Sequence, residues 1–272
     1  MNEPTARRPR LSLPFTIVPD GEVVHLIAGE DVRYSLKVGH HIEAITTVLR
    51  RCNGQRTPQE LLREIPVSAR TDAAGLLDRL YGERVLVDGV AADAHVAADY
   101  EPAAEGAGQL FERMQASAPP ARPLALLCQD TLDYQAALDF NRRCRRAHAP
   151  YLWATTGPWN RGYVSPVFWP GAGPCLACLL RHFQRLSPAP QLYDALAEHG
   201  RRGGEFTHTD VAPEAISMLE LIARWKIKEV GKTTPATAAF RLHVVEVECM
   251  EVSVHRVYVD PLCPECALER PF

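Results

Sequence analysis

The sequence lacks the long apolar runs and the excess of positive charge that mark membrane proteins and nucleic-acid-binding proteins. It has no run of about 18 apolar residues that could form a membrane-spanning helix. Its N-terminal stretch contains no apolar segment of the length found in signal peptides. Lys and Arg total 30 against 33 Asp and Glu, whereas proteins dedicated to nucleic acid are normally basic. We therefore expect a cytoplasmic protein that contacts neither a membrane nor a nucleic acid.

Motifs that place catalytic residues close together in sequence are also missing. No Gly-x-x-x-x-Gly-Lys-Ser/Thr, His-Glu-x-x-His or Gly-x-Ser-x-Gly occurs. Gly106-Ala-Gly108 matches a dinucleotide fingerprint only in part, because the residues before it cannot form the buried strand that the motif follows. We expect no catalytic residue.

What the chain does have is enough apolar sequence for two cores. Its 272 residues are 46% hydrophobic, which fits one large domain or two ordinary ones. Within residues 11–90, apolar and polar residues alternate over Leu13–Val18 and Glu22–Ile27 around a Pro-Asp-Gly turn, which predicts a hairpin. A third strand is expected at Val32–Leu36.

Three helices are predicted in the same region. Apolar spacing from Ile42 to Leu49 indicates the first, and Thr57-Pro58-Gln59-Glu60 is a typical start for the second. The third is expected over 71–81, and Val85–Val87 closes the region as a short strand. Strands, three helices and a final wing predict an α+β, winged-helix-like N-terminal domain.

The composition then changes twice. Residues 91–122 are rich in Ala, Glu, Asp, Pro and Gly, which predicts a linker. Residues 123–272 have an α/β pattern and are expected to form a second domain. Its expected strands and helices are Leu124–Cys128, Leu132–His148, Pro150–Ala154, Gly162–Trp169, Ala212–Val230, Leu242–Val247 and Ser253–Val259.

Four of the eight cysteines form two Cys-x-x-Cys pairs. Cys175 pairs with Cys178, and Cys263 pairs with Cys266, each beside Gly or Pro residues that favour tight turns. Two such pairs predict one closed four-cysteine zinc site with a structural role. A redox pair or unrelated packed thiols are the alternatives, and His182 could replace one cysteine. The other cysteines, expected to be ordinary packed thiols, are Cys52, Cys128, Cys144 and Cys249.

The second half resembles the ubiquitin-activating, E1/ThiF-like adenylating fold. The resemblance is carried by Leu126-Leu-Cys-Gln-Asp130 with its following helix, by Val211-Ala-Pro213 before a long helix, and by the two Cys-x-x-Cys pairs. The family's glycine-rich, nucleotide-binding first half has no counterpart here. The resemblance therefore implies a truncated domain that carries structural zinc, and no ATP is expected.

The first half resembles the PqqD-like precursor-recognition domain of natural-product maturation systems. The hairpin, the strand Val32–Leu36 and the stretch from Leu49 to Leu62 carry this resemblance. Together the two halves are similar to the ThiF-like leader-peptide-binding partner of azole-forming cyclodehydratases, as in thiopeptide and other thiazole/oxazole-modified peptide clusters.

The resemblance implies that a precursor leader adds as a strand beside the third strand and packs on the third helix. The residues it implies for peptide binding are Asp31, Val32, Arg33, Tyr34, Leu36, Lys37, Leu76, Arg79, Leu80 and Tyr81. The alternative for the leucines is a place in the core. The three cations among these residues suit an acidic leader.

The implied function is that of a non-catalytic adaptor, which presents the precursor to a YcaO-type cyclodehydratase. One alternative is an E1-like adenylating enzyme with another nucleotide site. Another is a winged-helix DNA-binding regulator, which the acidic charge balance opposes. The sequence leaves room for a homodimer.

Overall fold

The computed structural model describes residues 7–89 and 124–267. These residues divide into two compact units. The first comprises the residues up to Gly89 apart from Gly29–Asp31, and the second comprises Gly29–Asp31 together with 124–267. The expected linker, residues 91–122, lies outside the described residues.

The first unit contains two small antiparallel sheets and three helices. β2, β3 and β4 form a three-stranded sheet in that order, and β1 pairs with β5. The elements are β1 (Pro9–Leu11), β2 (Thr16–Asp20), β3 (Val23–Ala28), β4 (Val32–Lys37), α1 (Ile42–Arg50), α2 (Pro58–Arg63), α3 (Val67–Gly82) and β5 (Leu86–Asp88).

Local sequence signals explain most of these elements. The α2 capping box is formed as predicted, because the Thr57 side chain accepts from the Glu60 backbone and the Glu60 carboxylate accepts from the Thr57 backbone. The predicted hairpin is β2–β3, with Thr16 paired to Ile27. α3 begins at Val67, four residues before the expected start, directly after Pro66.

The second unit is built on a five-stranded mixed sheet in the order β10-β9-β8-β7-β6. β6 and β7 are parallel, and the other neighbouring pairs are antiparallel. The elements are β6 (Ala125–Gln129), α4 (Tyr134–Arg146), β7 (Tyr151–Thr155), β8 (Arg161–Val164), α5 (Leu176–Leu186), α6 (Gln191–Arg201), α7 (Pro213–Val230), β9 (Leu242–Glu246), β10 (Glu251–His255) and α8 (Pro264–Ala267). No helix in the described ranges is long and apolar enough to cross a membrane.

α7 packs on one face of this sheet. A Cβ atom at Gly162 would lie 2.5 Å from Leu219 of α7, so glycine at that position permits close packing of the helix on β8. Lys226 of α7 is fully buried, and its Nζ donates to three backbone carbonyls. The distances are 3.0 Å to Val164, 2.6 Å to Ser165 and 2.6 Å to Arg241.

Several expectations for the second domain need correction, and the first is that the strand expected over 162–169 ends at Val164. Helices α5 and α6 were not predicted, and α5 begins inside the first Cys-x-x-Cys pair rather than after a turn. The last strand is Glu251–His255 rather than 253–259. After His255 the chain leaves the sheet, and the Tyr258 carbonyl lies 3.0 Å from Nε2 of His182 in α5.

Candidate functional site

The outer edge of β4 is open, and a cavity lies beside the end of this strand. β4 pairs with β3 on one side, and no other strand among the described residues pairs with it. The cavity, of about 560 Å³, is lined by the end of β4, the turn after it, α1 and α3. Lys37, Leu76 and Arg79, all predicted peptide-binding residues, belong to this lining.

Some of the predicted peptide-binding residues lie in the core instead. Leu36, Leu76 and Leu80 are 4%, 9% and 0% exposed, so all three contribute to the core of the first unit, and Leu76 also reaches the cavity. Tyr34 is half-buried, and its ring packs edge-on against the buried Phe15 with centroids 6.0 Å apart. Arg33 is half-buried and, because side chains alternate along a strand, lies on the opposite face of β4 from Tyr34 and Leu36. Apart from Leu76, these residues do not line the cavity.

The remaining predicted residues are Val32, Tyr81 and Asp31, and none of them lines the cavity. Val32 is the first residue of β4 and is half-buried. The Tyr81 hydroxyl donates to Asp88 over 2.9 Å, so this side chain is engaged at β5. Asp31 belongs to the second unit, where its carboxylate accepts from Arg161 at 3.0 Å.

Eight of the eleven residues that line the cavity were not among the predicted peptide-binding residues, and His40, His41 and Gly75 are the most informative of them. His40 and His41 form the turn after β4, and His41 Nε2 lies 3.6 Å from an Asp72 carboxylate oxygen. Gly75 lies inside α3, and a Cβ atom built there would meet no atom within 4 Å. The signal for Gly75 was available, because glycine in a helix interior costs stability and often has a packing or functional reason.

The four paired cysteines converge in the second unit. All four are buried, and their Sγ atoms lie within 4.8 Å of one another. The distances from Cys175 are 3.8 Å to Cys178, 3.7 Å to Cys263 and 3.5 Å to Cys266, and Cys178 lies 3.6 Å from Cys266. Tetrahedral zinc with bonds of about 2.3 Å would separate its sulfur ligands by about 3.8 Å. The cluster therefore has the size and ligand chemistry of a closed zinc site, and His182 is not part of it.

A buried aspartate organises the turn that carries the second cysteine pair. The Asp260 backbone N–H donates to Cys178 Sγ over 3.4 Å, and its carboxylate accepts from Leu262 N at 2.9 Å. Arg181 donates to the same carboxylate at 2.5 Å, and Arg185 also does so. Burial raises the pKa of Asp260, but the hydrogen bonds from Arg181, Leu262 and Arg185 outweigh this effect and lower the pKa to about 2. The carboxylate is thus charged and fixed beside the cluster.

The basic end of α4 contacts the second cysteine pair. Arg142 Nε donates to a Glu265 carboxylate oxygen at 3.1 Å, and the buried Arg145 donates to the Glu265 backbone carbonyl at 3.1 Å. Glu265 lies between Cys263 and Cys266. These two arginines therefore brace the turn that carries the second cysteine pair.

A second cavity lies in the second unit. The Glu30 carboxylate in its lining accepts hydrogen bonds from three tyrosines. Glu30 accepts from Tyr134 at 2.7 Å, from Tyr163 at 2.6 Å and from Tyr193 at 3.1 Å. Burial and the charge of Glu30 raise the pKa of each of these tyrosines, so their hydroxyls remain donors. Glu30, Tyr163 and Tyr193 line a cavity of about 670 Å³ on the face of β8, β9 and β10 that α5 covers in part.

The comparisons with known proteins give a distant structural likeness. No protein-family model matches the chain, and no curated protein matches it. The heterocyclase TruD is 17% identical with a TM-score of 0.41, over 97% of this chain and 43% of that one. The E. coli microcin synthetase McbBCD complex is 12% identical with a TM-score of 0.41, over 94% of this chain and 99% of that one.

E. coli MccB with ATP is 9% identical with a TM-score of 0.39, over 95% of this chain and 99% of that one. The chain spans about two-fifths of the length of TruD.

Proposed function

We propose that this chain is a non-catalytic adaptor, which binds the leader of a ribosomal precursor peptide along β4. The observation that carries the proposal is the open edge of β4 beside a cavity lined by Lys37, Leu76 and Arg79. An open strand edge offers unpaired backbone groups to an extended peptide, and a neighbouring cavity can accept its alternate side chains.

The chemistry of the cavity favours an acidic, partly apolar peptide. Lys37 and Arg79 are exposed cations, and Asp72 is the acidic residue of the lining. Leu76 and Ile45, which are 9% and 2% exposed, contribute apolar atoms to the lining. Ordering a disordered leader costs about 2–5 kcal/mol, so we expect moderate affinity, which suits a protein that must release its product.

The partner enzyme in this proposal is a YcaO-type cyclodehydratase, which forms azoline rings from Cys, Ser or Thr residues of the precursor with ATP. This assignment depends on the sequence resemblance described above. The adaptor would raise the local concentration of the core peptide at that enzyme and would itself carry out no chemistry. In the second unit, the cysteine cluster fits a structural role because four thiolates leave zinc no open position.

Zinc at Cys175, Cys178, Cys263 and Cys266 would supply a rigid tetrahedral crosslink between α5 and α8. The chain's own residues prepare that site. The Asp260 backbone N–H donates to one sulfur, and the arginines of α4 and α5 hold the turn that brings the second pair to the first.

The peptide-binding claim is tested by fluorescence polarisation with a labelled synthetic leader. Its sequence would come from a short precursor gene beside the gene for this chain. Lys37→Glu and Arg79→Glu should each weaken binding about fivefold, since each reverses one charge at the cavity. Arg63→Glu is the matched control, because Arg63 is exposed on α2 and does not line the cavity. Absence of binding at high micromolar protein would contradict the proposal.

The adaptor role is separated from enzymatic activity by two assays on the full chain. Alone, it should support no ATP–pyrophosphate exchange. Added to the cyclodehydratase and precursor, it should increase the rate at which the precursor loses one water per ring. Exchange by the isolated chain would instead support an adenylating enzyme.

A further inference from the structure

The five-stranded sheet of the second unit has an open edge at β10. β10 pairs with β9 on one side, and no strand in the described part of the chain pairs with its outer side. Val252 is 42% exposed and Val254 is 43% exposed. Natural edge strands are usually protected by Pro, Lys, a bulge or a covering element, but Glu251–His255 contains neither Pro nor Lys and pairs with β9 without interruption.

The sequence of β10 is complementary to itself when read in the opposite direction. It runs Glu251-Val252-Ser253-Val254-His255. If a second copy pairs antiparallel about a two-fold axis at Ser253, Glu251 lies opposite the partner's His255, and Val252 lies opposite the partner's Val254. The acid and the imidazole can share a hydrogen bond, and the valines form apolar pairs on the other face.

We propose that β10 is a homodimer interface, in which two copies of this chain pair their edge strands about a two-fold axis. The contact is isologous, so it closes with two chains and does not propagate into a filament. It would join two five-stranded sheets into one of ten strands. The antiparallel pairing would add about four to six backbone hydrogen bonds, depending on which residues face outward. This inference does not depend on the peptide-binding function.

Self-pairing explains the strand better than an unrelated partner does. Each of the five positions finds a complementary side chain in the identical strand, and both Glu251–His255 contacts occur in the same interface. A heterologous partner would require no such symmetry. Outcomes that favour one are included in the test below.

The test is a charge exchange, measured by sedimentation velocity on the full chain over a concentration series. Glu251→Arg and His255→Glu should each weaken dimerisation about tenfold, because the axis makes each substitution act twice. The double variant Glu251→Arg/His255→Glu places opposite charges at the two positions and should return the dissociation constant to within about threefold of the original. Leu221→Arg is the matched control, since Leu221 is 67% exposed on α7.

Crosslinking locates the axis directly. In a Cys249→Ser background, which removes an exposed thiol, Ser253→Cys should give a covalent dimer with a short bismaleimide, and Ser217→Cys on α7 should not. The proposal would be overturned if the chain is a monomer at about 100 µM. It would also be overturned if none of the three charge variants changes the dissociation constant of the dimer. A dimer that both single variants weaken but the double variant does not restore would also overturn it, because the contact would then be to a different surface.

Discussion

Gly75 provides the sharpest test of the groove beside β4. It lies in the interior of α3 and lines the cavity, and a Cβ atom there would meet open space. Two effects of substitution should therefore have opposite signs. A good helix former such as alanine or leucine should stabilise the helix, and a bulky one should also fill the space that a bound peptide would use.

The magnitudes follow from helix propensity and from lost contact area. Gly75→Ala should raise the free energy of unfolding by about 0.5–1 kcal/mol, because glycine is that much less favourable than alanine inside a helix. Gly75→Leu should gain a similar amount in stability. It should also displace one apolar peptide side chain, whose burial is worth about 1.5–3 kcal/mol, so binding should weaken by about tenfold or more.

The assay combines urea unfolding with fluorescence polarisation on the same samples. Gly82→Leu is the matched control, because Gly82 ends the same helix, also has open space at its Cβ position and does not line the cavity. It should leave peptide affinity unchanged. If Gly75→Leu is folded and binds the leader within twofold of the original chain, the peptide does not use this groove and the reasoning fails.

Four further predictions concern the framework of the two units. Elemental analysis of freshly purified protein should find about one zinc per chain. Cys263→Ser should lose most of this zinc and unfold at a lower urea concentration. The control Cys249→Ser should keep its zinc. Burial and the charge of Lys226 lower the pKa of His243 to about 4, below its unfolded value of about 6.5. The unfolded state therefore binds more protons as the pH falls between these values, and unfolding in urea at pH 5 should be easier than at pH 7 by about 1 kcal/mol, a difference that His243→Gln should reduce but not remove, since burial lowers the pKa of Lys226 to about 6 and this group acts in the same direction. Lys226→Met should cost about 2–4 kcal/mol in the free energy of unfolding, because three buried carbonyls lose their shared donor. Thr57→Ala should cost about 1 kcal/mol by removing the α2 cap, measured in the same way.

Elements governed by local chemistry could be predicted from the sequence. The β2–β3 hairpin, the strand Val32–Lys37 and the capped start of α2 follow from turn residues, alternation and a capping box. The four-cysteine cluster could be predicted because metal geometry imposes a short spacing within each pair. α5 was missed, although Leu176, Leu179, Leu180 and Phe183 are spaced as on one helix face, because the cysteine motif suggested a turn at the same position.

Features that depend on tertiary packing could not be read in this way. Glu30 meets Tyr134, Tyr163 and Tyr193, which lie 104, 133 and 163 residues away along the chain, and no local pattern connects them. Leu80 and Leu76 are both apolar residues of α3, yet one is fully buried and the other lines a cavity. Only the packing of α3 shows which of these buried leucines also reaches the cavity.

The peptide groove and the cysteine cluster are built from different units, so their failures should be separable. Gly75→Leu should weaken leader binding by about tenfold or more while zinc content stays at its original value. Cys263→Ser should release zinc and lower the stability of the second unit, while the leader affinity of the folded protein should stay within about threefold, because no cavity residue of the groove belongs to that unit. Both variants should reduce cyclisation by the partner enzyme, the first through a weaker hold on the precursor and the second through a weakened adaptor. A zinc-free variant that still stimulates cyclisation fully would show that the cysteine cluster is dispensable for the adaptor role.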